Sequence, residues 1–272
     1  MDWNKAKTIL IIAFIVLDVF LIGQVIQRGR TSGEVVDERQ VIEALNQAGI
    51  FVEGDIPKEE TRKPLLEVTY QVLDGRSQVV VDFLGENYYE VIEDQFFAGQ
   101  DGRSVEIIEG KKMVLMERSL ETGGEIDLNQ INQWVEVFTK TQGIDLKGYE
   151  RQLVEMGQVV EVTYVSHQLG TPIVNDYYKF YLDHQGVAGV EIQSIKEMRE
   201  TQAEIRMTQA VEALLRLLRF PELSGDTITD IRVCYYRDEQ TLNWQTIVTD
   251  NLEPVWQVTF KSGRVKYLIE AE

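Results

Sequence analysis

The chain has 272 residues, 44% of them apolar, and a formal charge of −18 at neutral pH. That apolar content excludes a disordered chain, and the length allows one large domain or two small ones. The acidic balance repels phosphates and anionic headgroups, which excludes nucleic acid and anionic lipid as broad-surface ligands; it suits solubility, a basic partner or bound cations.

The charge is unevenly spread. Lys5, Lys7, Arg28 and Arg30 outnumber Asp2 and Asp18 in residues 1–30, so the acidic excess lies beyond them. Residues 1–7 read as a short tail and Thr8 to Ile26, TILIIAFIVLDVFLIGQVI, as a transmembrane helix (residues 8–26). Such a helix is about 28 Å long, close to the hydrocarbon thickness of a bilayer. Its apolar side chains favour insertion by roughly 4–8 kcal/mol, against about 3 kcal/mol opposed by Asp18. No small-x-small cleavage site follows, and Leu21-Ile22-Gly23 is followed by Gln24 where a lipidated cysteine would have to stand, so the segment reads as an uncleaved anchor. Lysine and arginine tie on its two sides, and charge bias alone does not orient it; a free α-amino group tilts it towards a cytoplasmic N-terminus.

Asp18 shares a helical face with Ile11, Phe14, Leu21 and Val25. This stripe is the candidate partner-binding surface, packing against another membrane helix with Asp18 hydrogen-bonded to a polar group there. The plainer alternative is a protonated Asp18 tolerated in a very apolar helix.

Residues 27–36 form a polar linker, and the remainder reads as an α+β fold. In residues 37–120, Asp37 caps a helix with Val41, Leu45 and Ala48 on one face, Gln40 at capping-box spacing and Gly49 as its stop. Strands follow at Leu65–Leu73 and Gln78–Leu84 about the turn Asp74-Gly75. In residues 121–272, Asp127 caps a helix with Leu128, Ile131, Val135 and Phe138 on one face, ending near Gly143. Strands are predicted at Val159–Val165, Tyr177–Leu182 and Val187–Ile192. A helix from about Arg199 to Leu218 carries Met207, Val211, Leu214, Leu215 and Leu218 as a stripe and ends at Pro221. The last strands are Ile228–Tyr236, Val255–Phe260 and Arg264–Ile269. Two hairpins alternate alike: Tyr178, Phe180 and Leu182 with Ala188, Val190 and Ile192, then Trp256, Val258 and Phe260 with Val265, Tyr267 and Ile269. The expected architecture is therefore a single N-terminal transmembrane helix followed by repeated helix-plus-antiparallel-sheet units.

The residues point away from catalysis. There is neither a Walker loop nor a dinucleotide fingerprint, and no G-x-S-x-G. His167 and His184 stand alone, without spaced cysteines, so no metal and no cofactor is expected. Cys234, the single cysteine, reads as a buried strand residue. Glu67, Asp82, Glu161 and Asp183 lie in or beside strands where a glycosidase-like acid pair would have to form, but acids this numerous meet by chance. The pairs Tyr88-Tyr89, Tyr177-Tyr178 and Tyr235-Tyr236 each put one ring on either sheet face, for packing or for an interface.

Met1-Asp2-Trp3-Asn4-Lys5, Lys7, Phe14, Leu17-Asp18 and Phe20-Leu21 resemble the start of the YycI (WalI) family of Gram-positive regulatory proteins. The resemblance continues through Pro172, Asp176-Tyr177-Tyr178, Phe180-Tyr181, Gly186, Glu212-Ala213-Leu214 and Pro254-Val255-Trp256. It implies a non-enzymatic single-pass membrane protein with a cytoplasmic N-terminus and an extracytoplasmic α+β domain. Its implied partners are a YycH-like protein and the YycG (WalK) sensor histidine kinase of the YycFG (WalRK) two-component system, which governs cell-wall metabolism. The alternative function is a membrane-tethered binding or inhibitor module for a wall polymer, peptide or cation.

Overall fold

The computed structural model describes residues 37–58, 62–121, 124, 126–156, 159–239 and 247–269. The chain divides into two units, Met1–Val41 and Ile42–Glu272. The expected membrane helix lies outside the described residues; among those described, no helix is long and apolar enough to cross a membrane.

In the first unit, Asp37 Oδ1 accepts the Arg39 amide at 3.0 Å, and the Asp37 carbonyl accepts from Gln40 and Val41. The predicted cap thus opens α1 (Glu38–Gln47). In the second unit, which begins at Ile42, Leu45 is buried and Ala48 exposed. Gly49 ends the helix at φ 81°, and a Cβ there would collide with Ser224.

The second unit continues with β1 (Phe51–Val52), β2 (Arg62–Tyr70), α2 (Gln78–Leu84), β3 (Tyr89–Ile92), β4 (Phe96–Ala98), β5 (Ser104–Ile108) and β6 (Lys112–Met116). Then come α3 (Ile131–Gln142), β7 (Tyr149–Met156), β8 (Val160–Gln168), β9 (Thr171–Asp183), β10 (Gly186–Gln193) and β11 (Ile195–Arg206). A short α4 (Ala210–Ala213) runs into a 3₁₀ turn at Leu214–Arg219, before β12 (Thr227–Tyr236), β13 (Thr249–Phe260) and β14 (Val265–Leu268).

Sheet dominates this mixed α+β fold. The strand order is β11-β2-β13-β12-β9-β10-β6-β5-β4-β3, with β1 on β12, β14 on β13, β8 on β9 and β7 on β8. Strands from residues 37–120 and 121–272 interleave, since β2 pairs with β11 and β13, and β6 with β10. The sheet is mostly antiparallel, as expected, but β1 and β9 each run parallel to β12.

The first predicted hairpin forms: Phe180 opposes Val190 and Tyr178 opposes Ile192, while the register shifts between Val187 and Gly189, so that Leu182 opposes Val187. Its apolar residues share one buried cluster with Ile131, Val135 and Phe138 of α3 and with Val80, Phe83 and Leu84 of α2. Phe180, fully buried, meets Phe138 and Tyr164 edge-on at 6.1 and 5.7 Å between centroids. α3 ends at Gly143, which is left-handed at φ 67°, as predicted. Leu128 precedes the helix and is exposed, so it is not part of that face.

Three predicted elements change. Gln78–Leu84 is a helix, not a strand. Its run of valines favours a strand by propensity, but Val80, Phe83 and Leu84 also fit helical i, i+3, i+4 spacing, and burial of that face prevails. The Arg199–Leu218 helix shrinks to its C-terminal part. Residues up to Arg206 instead pair with β2, from Ile195 opposite Tyr70 to Arg206 opposite Arg62. Good helix formers there yield to an open sheet edge, while Met207, Val211 and Leu214 stay buried as predicted. Because the 3₁₀ turn repeats every three residues, Leu217 follows Leu214 inward and Leu215 and Leu218 face outward. In the last hairpin, Trp256 opposes Leu268 and Val258 opposes Lys266, so Val265 and Tyr267 lie on the other face, where Tyr267 stacks on Tyr236 at 4.3 Å.

Phe180→Ala empties the junction of α3, β8 and β10. It is expected to cost about 3–5 kcal/mol, read as a lower denaturant midpoint with an unchanged slope.

Candidate functional site

The predicted partner-binding stripe, Ile11, Phe14, Asp18, Leu21 and Val25, lies outside the described residues. The four carboxylates weighed as acid-pair candidates have separate surroundings. Glu67 on β2 pairs with Arg199 at 2.5 Å, and Asp82 on α2 accepts from Gln78 Nε2 at 2.7 Å. Glu161 and Asp183 share one face of the β8–β9 ladder, but Asp183 is held by Arg118. His167 lies 3.1 Å from Glu150, and His184 3.8 Å from Glu121. Burial raises the Cys234 thiol. Among the described residues no group of three or more His, Cys, Asp or Glu is placed to hold a metal.

What the fold does assemble is a polar seam on β9. The β8–β9 ladder pairs Ser166 with Ile173 and then Val165 with Tyr177, so Val174, Asn175 and Asp176 bulge out of it. Just before the bulge, Ile173 opposes Tyr235 of the parallel strand β12. Asn175 then serves as a substitute strand: its Nδ2 donates to the Arg237 carbonyl at 3.0 Å and its Oδ1 accepts the Arg237 amide at 2.8 Å. Asn175 also donates to Glu239 at 3.3 Å, and Glu239 pairs with Lys112 of β6 at 2.9 Å. Arg237 pairs with Asp250 of β13 at 3.1 Å.

Beyond the bulge, Tyr177 and Tyr181 donate to Glu191 of β10 at 2.5 and 2.7 Å. Burial works to raise the Glu191 carboxyl, but these two phenols, with Lys179 and Lys112, outweigh it and hold the group below its usual range. Burial, followed by the Glu191 charge, raises the Tyr177 phenol, which remains a donor. Asp176 accepts from Tyr149 at 3.0 Å, yet burial dominates and raises its carboxyl. Lys111, buried, lies with its ammonium 5.9 Å from the Tyr70 ring centroid, and burial lowers its pKa.

At the far end of β9, Asp183 is fully buried. Arg118 grips both its oxygens, with the Nη2–Oδ1 contact at 2.7 Å, and the amides of Glu121 and Gln185 donate at 2.9 and 2.8 Å. Burial would raise this carboxyl, but those donors lower it to about 2.

A model of the family described as YycI protein matches residues 32–271. The chain belongs to the YycI family. Its fold is similar to YycH from Bacillus subtilis, with a TM-score of 0.52 at 9% identity, over 79% of this chain and 54% of that one. The chain therefore spans about half the length of YycH. An uncharacterized protein from Eubacterium rectale gives a TM-score of 0.45 at 10% identity, over 88% and 93% of the two chains. The Bacillus megaterium YpeB C-terminal domain gives 0.37 at 12% identity, over 71% and 96%. No curated protein matches.

Within the YycI fold, Pro172, Asp176, Tyr177, Tyr178, Phe180 and Tyr181 all sit on β9, and Gly186 opens β10. The tyrosine pair is visible in the sequence, but Asn175, Glu191, Lys112 and Glu239 carry no local signal, since no spacing announces a bulge that gathers four distant segments. The seam's chemistry is ion pairing and phenol-to-carboxylate hydrogen bonding, which clamps strands together.

The two buried aspartates of β9 respond oppositely to acid. Asp183, depressed from 3.8 to about 2, contributes stability that is full above pH 3.8 and disappears as pH falls through 2. Asp183→Asn should lower neutral-pH stability by about 3 kcal/mol and flatten the acid limb of a stability–pH profile. Asp176, with its carboxyl raised, favours the fold more when protonated, a contribution lost as pH rises through its folded value. Asp176→Asn keeps an acceptor for Tyr149 and removes a buried charge, so the neutral-pH melting temperature should hold or rise.

Proposed function

We propose that this YycI-family chain is a membrane-anchored, extracytoplasmic and non-catalytic regulator. It modulates a cell-wall-controlling YycG (WalK)-like sensor histidine kinase together with a YycH-like partner. The match of the YycI family model over residues 32–271 carries the reading. The YycH-like fold supports it, as does a polar seam whose carboxylates are engaged by lysine, arginine and tyrosine.

In this reading residues 8–26 cross the membrane once, with residues 1–7 in the cytoplasm. The stripe of Ile11, Phe14, Asp18, Leu21 and Val25 packs against the kinase's own membrane helices. A carboxyl in hydrocarbon gains most from a hydrogen-bonding partner helix, so Asp18 sets where the helices meet. A regulator that binds two kinase states unequally shifts their populations by its differential affinity, and a coupling of about 1–3 kcal/mol changes the ratio 5- to 150-fold.

The test is co-purification from membranes, comparing the wild-type chain with Asp18→Leu. Kinase and YycH-like protein are expected with the wild type, and several-fold less kinase with the variant. Equal kinase recovery would move the contact to the folded domain. Recovery of neither partner from wild-type membranes would overturn the regulatory reading in favour of a tethered binding module.

A further inference from the structure

The strand order ends at β3, which pairs with β4 alone; among the described residues no strand adjoins its second edge. An antiparallel edge strand points half its N–H and C=O groups away from its neighbour, ready for another strand. β11, at the other end of the order, is guarded by Lys196, Glu197, Arg199, Glu200, Glu204 and Arg206. β3 has the opposite character. All four residues are exposed, and Tyr89, Val91 and Ile92 are 57%, 52% and 54% exposed.

The edge is also held ready. Tyr88, just before the strand, donates from its hydroxyl to the Gly75 carbonyl at 2.8 Å and packs edge-on against Phe97 at 6.0 Å. After the strand, the Asp94 amide donates to Glu90 Oε1 at 2.5 Å. A strand fixed at both ends loses little conformational freedom on gaining a neighbour.

Charge selects the occupant. Residues 86–95 read ENYYEVIEDQ and hold Glu86, Glu90, Glu93 and Asp94 without a basic residue. A cavity of about 560 Å³ follows the strand's C-terminal end, with Asp74, Asp94 and Glu109 in its lining against Arg76. A second copy pairing β3 to β3 would gather the four acids of each segment at one seam with no basic residue between them, and such like-charge crowding is destabilising. We propose that β3 is a docking edge for an extended segment of another polypeptide, apolar and basic by turns, which adds to the sheet as a further strand. Backbone hydrogen bonds supply the affinity, while the exposed apolar side chains and flanking acids supply the selectivity. The inference is independent of the membrane-helix contact and stands or falls without it.

The test uses the full chain in mild detergent and three synthetic probes: an alternating Val-Lys heptapeptide, its Val-Glu counterpart, and the Val-Lys peptide N-methylated at every second residue. Saturation with the Val-Lys peptide is expected to slow amide hydrogen exchange at Tyr89–Ile92. The Val-Glu and N-methylated peptides should bind at least ~10-fold more weakly. Glu86→Lys with Glu93→Lys, both at exposed positions, should reverse the preference between Val-Lys and Val-Glu. Equal binding of the N-methylated peptide, or protection elsewhere without protection at β3, would overturn strand addition. Concentration-dependent dimers abolished by Val91→Lys would overturn the hetero-partner in favour of a second copy. Variants are compared only where their melting temperature equals that of the wild type.

Discussion

The bulge in β9 is the constraint on which the rest of the sheet depends. A regular strand here would keep one register with β8 throughout. Looping out Val174, Asn175 and Asp176 lets Ile173 meet β12 while Tyr177–Asp183 meets β10. The irregularity exposes backbone groups inside the protein, and such groups must find partners. Asn175 supplies them by giving the Arg237 backbone both the donor and the acceptor that a neighbouring strand would have given.

From that point the polar seam is a consequence. Once Asn175 and Tyr177 are turned into one region, Glu239, Lys112, Glu191 and Arg237 arrive from β6, β10 and the end of β12. Burying these charges is costly singly and tolerable together, because each carboxylate meets a lysine, an arginine or a phenol. Buried polar groups of this kind specify one arrangement of strands and not another. The apolar residues form an aromatic-rich cluster that includes α2 and α3 and a smaller one built from Leu66, Val68, Tyr70, Ile173, Tyr235 and Leu252.

For the proposed role, exerted by contact, the division of labour is physically sensible. The seam carboxylates Glu191, Glu239 and Asp250 are engaged by phenols, lysine and arginine, whereas the apolar residues of β3 are exposed. A membrane stripe and a sheet edge would engage partners by different physics: hydrogen bonding in a medium without water, and backbone pairing steered by charge. The two surfaces can be altered separately.

Local order was legible in the sequence wherever neighbours in the chain decide it. Asp37 capping α1, Gly143 closing α3 and the alternation of Phe180 and Leu182 with Val190 follow from backbone geometry and period-two burial. The family, too, was legible in short runs such as Asp176-Tyr177-Tyr178. Tertiary structure alone decided the fate of Gln78–Leu84 and Ile195–Arg206, where propensity pointed one way and a waiting core or sheet edge the other. It alone decided that Asn175 would bridge to Arg237 across the fold, that Tyr267 would leave the core face for Tyr236, and that β3 would end the strand order among the described residues. The reason is common to all of these. A cap or an alternating face depends on residues a few positions apart, whereas a pairing partner is chosen by which distant strand completes the hydrogen-bond ladder and buries the larger apolar face.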